Sequence, residues 1–432
     1  MVEHSNKSNH AKTPRLTRRD FLGAAGGAAL SVAALGLPAV LGACRRSQDT
    51  GGVDVLSVST SQVVTLDSYT EIEDIAPLCD IKEVAKYPKG TMLFSSGDQL
   101  AAALNAGESA NPLSTCSLVK LADGSITKAL NAAVGANDGF SLFTVRASNT
   151  TLAWVESNYL TSDWAVYSAQ IGESANIGQP VKLDEGNADY DTPELAVIGS
   201  TVYWIVQPTS NGPRASENSH LKAAGGAVAA EILTSRGRFN GGLSTSGNVL
   251  TAMPRADTSS GVHYELTAIM SGTGSVVAKQ ILPRSYRPSN AVYVNNAFAF
   301  TIPASYDYGG GIANVGTYFP IAGNQWLRLT KQSLTPPGMC YGWLFAKSGS
   351  RTVFVDTKGE RYFVVDAPDN CESYGDYSVC TGEVNAVYNY ATVRSGQKSS
   401  AQQENENADT TIGASSSGAT TVLRNITPKL AI

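Results

Sequence analysis

The 432-residue chain sets 32 Lys and Arg against 37 Asp and Glu, a net charge of −5, and only 16% of its residues are charged. That lacks the basic footprint a nucleic-acid surface needs, so no nucleic-acid partner is expected. Its 41 glycines, with abundant Ser, Thr, Val and Tyr and no long Leu/Glu/Lys-rich stretches, exclude a helical bundle and point to an all-β fold.

The first element is a segment at 21–41, long enough to span a bilayer. Gly23, Gly26, Gly27, Gly36 and Pro38 make it a poor membrane helix, although an uncleaved transmembrane anchor is the competing reading. Arg18 and Arg19 ahead of this Gly/Ala-rich run resemble a twin-arginine export signal. Leu41-Gly42-Ala43-Cys44 resembles a bacterial lipobox, in which the cysteine is lipidated and becomes the first residue of the mature chain. The resemblance implies that residues 1–43 are a signal peptide and that 44–52 are the lipidated Cys44 and a tether. It also implies handling by the twin-arginine translocase and lipoprotein-processing enzymes, and an extracytoplasmic, membrane-anchored location in a bacterium. Each buried CH₂ of such an anchor contributes ~0.8 kcal/mol, and Arg45 and Arg46 are placed to meet anionic headgroups. Beyond residue 43 the chain keeps 27 positive and 35 negative side chains.

Outside the cytoplasm, disulfides persist. Cys371 and Cys380, nine apart across a turn-rich stretch, are the best local pair; Cys79 with Cys116 is a second, leaving Cys340 free and buried. Spacing alone does not fix connectivity. With no CxxC and only His220 and His263 beyond the signal, no metal or cofactor is expected.

From residue 90 onward, short apolar runs recur, each entered through a Gly/Asn/Ser turn. The anchoring apolar positions are 100, 152, 202, 250, 298, 353 and 387, at intervals of 52, 50, 48, 48, 55 and 34. A period near 50 holding four short strands predicts a β-propeller with seven four-stranded blades over about 90–430. Six blades is the alternative, because the last interval is short. Residues 394–419, rich in Ser, Gln, Asn and Glu, read as a disordered insertion, and 420–426 as a returning strand. Residues 53–66 are expected beside 420–426, completing the final blade, so that 53–432 is one domain. The segments Thr151-Leu152-Ala153-Trp154-Val155-Glu156, Trp164-Ala165-Val166-Tyr167 and Val202-Tyr203-Trp204 look like TolB-type propeller repeats.

Turn alternation assigns the long loops 157–163, 207–220, 254–262 and 303–316 to one face, together with the blade-to-blade connectors. The loops carry Tyr159, Arg214, His220, Arg255, Asp257, Tyr306, Asp307 and Tyr308; the connectors add Asp189, Tyr190, Asp191, Arg284, Tyr286 and Arg287. Tyr, Arg and Asp on loops over a rigid scaffold suit a binding face, although each residue alone equally suits a solvated loop. Asp189, Asp191 and Asp307 are candidates for a carboxylate pair or calcium site, but isolated aspartates commonly serve turns. Trp154, Trp204, Trp343 and Phe300 sit in alternating strands and read as packing between blades. No GxSxG occurs, and Ser117 and Lys120 of an S-x-x-K match point to opposite faces of a strand. No catalytic residue is nominated. The expected role is binding of a protein, peptide or glycan partner through the loop-rich face without catalysis. The alternative is a glycan hydrolase or lyase using acidic residues at the channel mouth.

Overall fold

The computed structural model describes residues 54–429, apart from 89–90, 96–98, 107–112, 308, 334, 349–350, 369–370, 373–376, 381–382 and 391–420; of the strands between 371 and 390 it describes the backbone. Arg18, Arg19, Cys44, Tyr308 and the 394–419 insertion lie outside the described residues. The described residues are strands joined by turns and short 3-10 segments, an all-β chain. No helix among them is long and apolar enough to cross a membrane.

Among the described residues seven sheets follow one another, each built around antiparallel strands. Sheet 1 is Met92–Ser95, Leu100–Ala106, Leu113–Lys120 and Ile126–Leu130; sheet 2 is Ser141–Ala147, Thr151–Ser157, Trp164–Gln170 and Val181–Gly186. Sheet 3 holds Leu195–Ile198, Thr201–Val206, Ser219–Ala224 and Ala230–Ser235. Sheet 4 holds Ser244–Ser246, Val249–Ala252, Gly261–Met270 and Val276–Ile281, with Arg255–Thr258 paired beside the start of its third strand. Sheet 5 is Asn290–Val294, Ala297–Ile302, Gly316–Ile321 and Gln325–Leu329; sheet 6 is Gly338–Cys340, Trp343–Ser348, Arg351–Asp356 and Arg361–Val365. In sheet 7, Cys371–Glu372 and Tyr377–Cys380 share one edge of Glu383–Tyr390, whose other edge pairs with Thr421–Pro428, followed by Cys79–Tyr87.

Six of the seven expected anchors fall on the second strand of a sheet. The exception is 353, which lies on the third strand of sheet 6; the second strand begins at Trp343. From Trp343 the neighbouring intervals become 45 and 44, so the irregular spacing came from the chosen anchor and not from the repeat.

The expected partner of the C-terminal strand is also corrected. Residues 53–66 do not pair there. Val55 bridges Ile281 at the edge of sheet 4, Val63–Thr65 runs parallel to Gln325–Leu329 of sheet 5, and Thr70–Glu71 runs parallel to Arg361–Val365 of sheet 6. Only then does Cys79–Tyr87 pair antiparallel with Thr421–Pro428. The N-terminal segment thus laces three outer edges before supplying a fourth. Its last strand, Cys-Asp-Ile-Lys-Glu-Val-Ala-Lys-Tyr, is buried only at its two ends, as an outermost strand facing water requires. A search for apolar runs passes over such a strand.

The core is distributed between sheets. Trp154 and Leu152 of sheet 2 pack on Leu104 and Leu118 of sheet 1; Trp204 and Val202 of sheet 3 pack on Val155 and Val166 of sheet 2. The pattern continues through sheets 3 and 4, 4 and 5, 5 and 6, and 6 and 7. Finally, Tyr87 and Leu423 of sheet 7 pack on Leu93, Ala101 and Val119 of sheet 1. Thr421 Oγ1 donates to the Thr91 carbonyl at 2.9 Å and Asn425 Nδ2 to that of Leu121 at 3.2 Å across the same junction. The four aromatic residues read as packing residues are all buried in these clusters.

Cys79 and Cys116 are buried, unbridged and in different clusters, so the expected pair is not formed; Cys340 is also buried. Cys371 stands opposite Tyr390 and Cys380 opposite Glu383, seven residues apart on the strand they share. That is roughly 23 Å along a strand, whereas a disulfide needs Cα atoms within about 7 Å. The local pairing expected from spacing does not fit this register.

Candidate active site

The connection between the second and third strands of sheet 4, expected as a loop over 254–262, is a hairpin arm. Arg255–Thr258 pairs with Gly261 to Tyr264, and Ser259 and Ser260 form the turn. Successive side chains along the arm point to opposite faces, and the adjacent His263 and Tyr264 are both buried. Gly261, at φ +116°, adopts a backbone that L side chains rarely take, and the Arg284 guanidinium lies about 3.5 Å from where a Cβ would stand.

At the tip of the arm, the exposed Ser260 Oγ lies 2.9 Å from Nε2 of buried His263. The other ring nitrogen, Nδ1, lies 2.8 Å from the Leu282 carbonyl oxygen. A carbonyl can only accept, so Nδ1 carries the proton and Nε2 offers its lone pair to the Ser260 hydroxyl. Nucleophile, base and orienting acceptor are therefore in the order that acyl transfer uses. Thr258 Oγ1 holds the turn, accepting from Ser260 N at 3.2 Å and donating to the Gly261 carbonyl at 2.9 Å.

Arg284 connects this pair to a cavity of about 730 Å³. It lines the cavity, and its Nη1 donates a long, 3.5 Å hydrogen bond to the Ser260 carbonyl. Residues 55–58 of the N-terminal segment form one wall, Pro283 to Tyr286 another, and Gly309, Gly310 and Ile312 the third. The walls are fastened to one another. Gly311 N donates to the Val58 carbonyl at 2.7 Å, in a contact so close that a Cβ on Gly311 would come within 2.5 Å of Ser59 O. Tyr286 stacks on Tyr306 with ring centroids 4.7 Å apart, and its hydroxyl donates to the Gly309 carbonyl at 2.6 Å. Burial, then the neighbouring Tyr306, pushes the Tyr286 phenol above its usual range. Tyr306 Oη accepts from Arg287 N at 2.9 Å.

The other nominated residues do not converge. Asp189 pairs with Arg214 at 3.3 Å, and Arg214 also lies over the Tyr190 ring. Asp191 pairs with Arg238. With each carboxylate held by an arginine and Asp307 exposed on the 303–315 loop, the candidate carboxylate pair does not assemble. Arg255 lies 4.9 Å above the Tyr264 ring and donates to its hydroxyl at 2.7 Å. Tyr159 stands in solvent, 56% exposed, and His220 belongs to the strand Ser219–Ala224, not to the loop before it. Sequence reading considered His263 only as a metal ligand and passed over Ser260. The available signal was the period-two pattern that makes 255–264 a hairpin and aims both residues at its tip.

No protein-family model matches the chain, and no curated protein matches it. Among solved structures, puromycin hydrolase is similar at 14% identity with a TM-score of 0.45, over 71% of this chain and 51% of that one. A prolyl endopeptidase gives 12% identity and a TM-score of 0.45, over 75% and 46%. The β-propeller domain of the Trilobed protease from Pyrococcus furiosus gives 10% and 0.38, over 58% and 77%. The chain spans about half the length of the hydrolase and the endopeptidase. These neighbours are hydrolytic enzymes of peptide chemistry. The expectation of a binding module without catalysis, with its glycan-hydrolase alternative, is corrected on that finding and set aside.

Proposed function

We propose that this protein is a serine hydrolase of amide or ester bonds, built on a closed seven-bladed β-propeller and anchored outside the cytoplasm through lipid on Cys44. The ring reading is supported by the cyclic order of the seven inter-sheet clusters, the last of which joins sheet 7 to sheet 1. The anchor reading rests on the twin-arginine and lipobox resemblance.

The observation that carries the activity is the Ser260–His263–Leu282 alignment, at 2.9 and 2.8 Å. Ser260 Oγ attacks the substrate carbonyl carbon as its proton passes to His263 Nε2. The Leu282 carbonyl holds the ring in place and faces the N–H of the resulting imidazolium. Negative charge then develops on the substrate oxygen beside Arg284, whose guanidinium reaches the Ser260 carbonyl. As the C–N or C–O bond breaks, Nε2 returns its proton to the leaving group. Water, deprotonated by the same nitrogen, releases the acyl group and restores the serine. The 730 Å³ cavity beyond Arg284 receives one side of the scissile bond.

A fluorophosphonate reagent applied to the folded full-length protein should leave its adduct on Ser260. Ser260→Ala should abolish that labelling and lower turnover of a p-nitrophenyl ester or peptide p-nitroanilide by at least ~10³-fold. Absence of an adduct on Ser260 in wild-type protein of native melting temperature would sink the reading.

A further inference from the structure

At the root of the same arm lies a second, smaller recess of about 260 Å³ between the outer parts of sheets 3 and 4. Its charged lining is Arg236, Arg255, Lys279, Asp257 and Glu265, three cations against two carboxylates, with Asn218 and Thr234 as neutral polar groups. The two carboxylates are used unequally. Glu265 is almost fully buried, held by Lys279 Nζ at 2.8 Å and the Thr267 hydroxyl at 2.7 Å. Asp257 reaches Arg236 only at 3.8 Å, with both side chains more than 60% exposed, a pairing worth little in water. Arg255 spends one N–H on the Tyr264 hydroxyl and lies over that ring, which fixes the plane of its guanidinium. A planar fork of N–H donors held in one orientation is pre-organised for an oxyanion.

We propose that this recess is a binding site for a tetrahedral oxyanion, a phosphate or sulfate group, held by Arg255, Arg236 and Lys279. Cations approaching from the arm, the sheet 3–4 connector and the outer strand of sheet 4 surround a tetrahedral group better than a flat carboxylate. The backbone around the recess is fixed: Arg236 N donates to the Arg255 carbonyl at 2.9 Å, Arg255 N to Ser235 Oγ at 2.9 Å, and Glu265 N to the Pro254 carbonyl at 2.8 Å. An anion here ties the root of the arm to sheet 3, and Ser260 is carried at the tip of that arm. The binding claim stands without the hydrolase reading.

Thermal melting of the full-length protein in neutral detergent tests it, with sodium phosphate and sulfate compared with chloride and acetate at matched ionic strength. Phosphate or sulfate near ten times its Kd should raise the melting temperature by about 2–4 °C. Arg255→Gln and Lys279→Gln should each remove that rise, while Arg351→Gln, a surface cation on sheet 6, should retain it. Glycerol 3-phosphate and detergent micelles doped with phosphatidylglycerol separate a soluble phosphomonoester from a lipid headgroup as the source. An equal rise in wild type and in folded Arg255→Gln and Lys279→Gln proteins, or a rise with acetate and chloride equal to that with phosphate, would overturn the proposal. Loss of fluorophosphonate labelling alone would leave it standing.

Discussion

Glu156 shows how single residues lock adjoining elements in this chain. Its carboxylate is fully buried, yet it accepts from Trp154 Nε1 at 2.9 Å, Val134 N at 2.6 Å and Gly135 N at 2.9 Å. It therefore pins the sheet 1–2 connector to the largest side chain of the cluster between those sheets. Glu156→Ala strands three donors, at roughly 1–3 kcal/mol for each one left buried and unpaired. A loss of several kcal/mol in urea unfolding is expected, and a loss under ~1 kcal/mol would mean that water reaches the site. The buried thiols make a second residue-scale case. Burial pushes Cys116 up to about 12 and Cys79 up to about 11. Neither forms the reactive thiolate near neutrality, so iodoacetamide at pH 7.5 should modify them only in denaturant. The folded values are raised above the unfolded ones, so the stability they contribute is complete below about pH 9 and lost as pH climbs toward 11–12. Unfolding free energy measured from pH 8 to 11 should fall with rising pH. None of this pairing was legible in the sequence: Glu156 reads as a polar residue in an apolar strand, and nothing local announces three N–H groups converging on it. Ser260 and His263 were hidden for the same reason, since their meeting depends on Leu282, nineteen positions from His263.

At the scale of elements, the strands themselves were legible and their partners were less so. The second strands of sheets 1 to 5 were found from apolar residues after Gly/Asn/Ser turns, because a strand buried on both faces must be apolar throughout. Outer strands carry no such mark. Cys79–Tyr87 is charged at four of its nine positions, and the shorter pairings at Val63–Thr65 and Thr70–Glu71 are set by which edges happen to be open. Different deletions should separate these roles. Removing residues 55–65 uncovers the edges of sheets 4 and 5 and the wall of the larger cavity, but leaves the sheet 7–1 junction intact. A fall of several degrees in melting temperature with retained cooperativity is expected. Removing 79–87 takes away Tyr87 and the partner of Thr421–Pro428, and should abolish the cooperative transition. Equal effects in calorimetry would show that the segment acts as one unit.

For the molecule as a whole, each sheet rests on its two neighbours, so the stability of the assembly depends on the weakest junction and not on a common centre. The proposed anchoring is testable at this level. Cys44→Ser should move the protein from the membrane pellet to the soluble fraction of lysed cells, whereas continued pelleting with residues 1–43 attached would favour the transmembrane reading. The period near 50 was visible because a repeating architecture repeats its demands on sequence, while the Ser260–His263 pair and the edge-lacing segment occur once and leave no period to detect.

The Thr421–Thr91 hydrogen bond joins residues 330 positions apart, and with it the junction between the last sheet and the first. During synthesis at ~5–20 residues per second, Cys79–Tyr87 therefore waits on the order of 15–65 s for the strand that pairs with it. Lys82 and Lys86 lie along the waiting strand, and charge of that kind discourages it from recruiting another nascent chain. Sheets assembled meanwhile lack this junction, which forms only once Thr421–Pro428 has emerged. Such a schedule is compatible with the proposed twin-arginine export, which would take up the chain once that strand pair has formed.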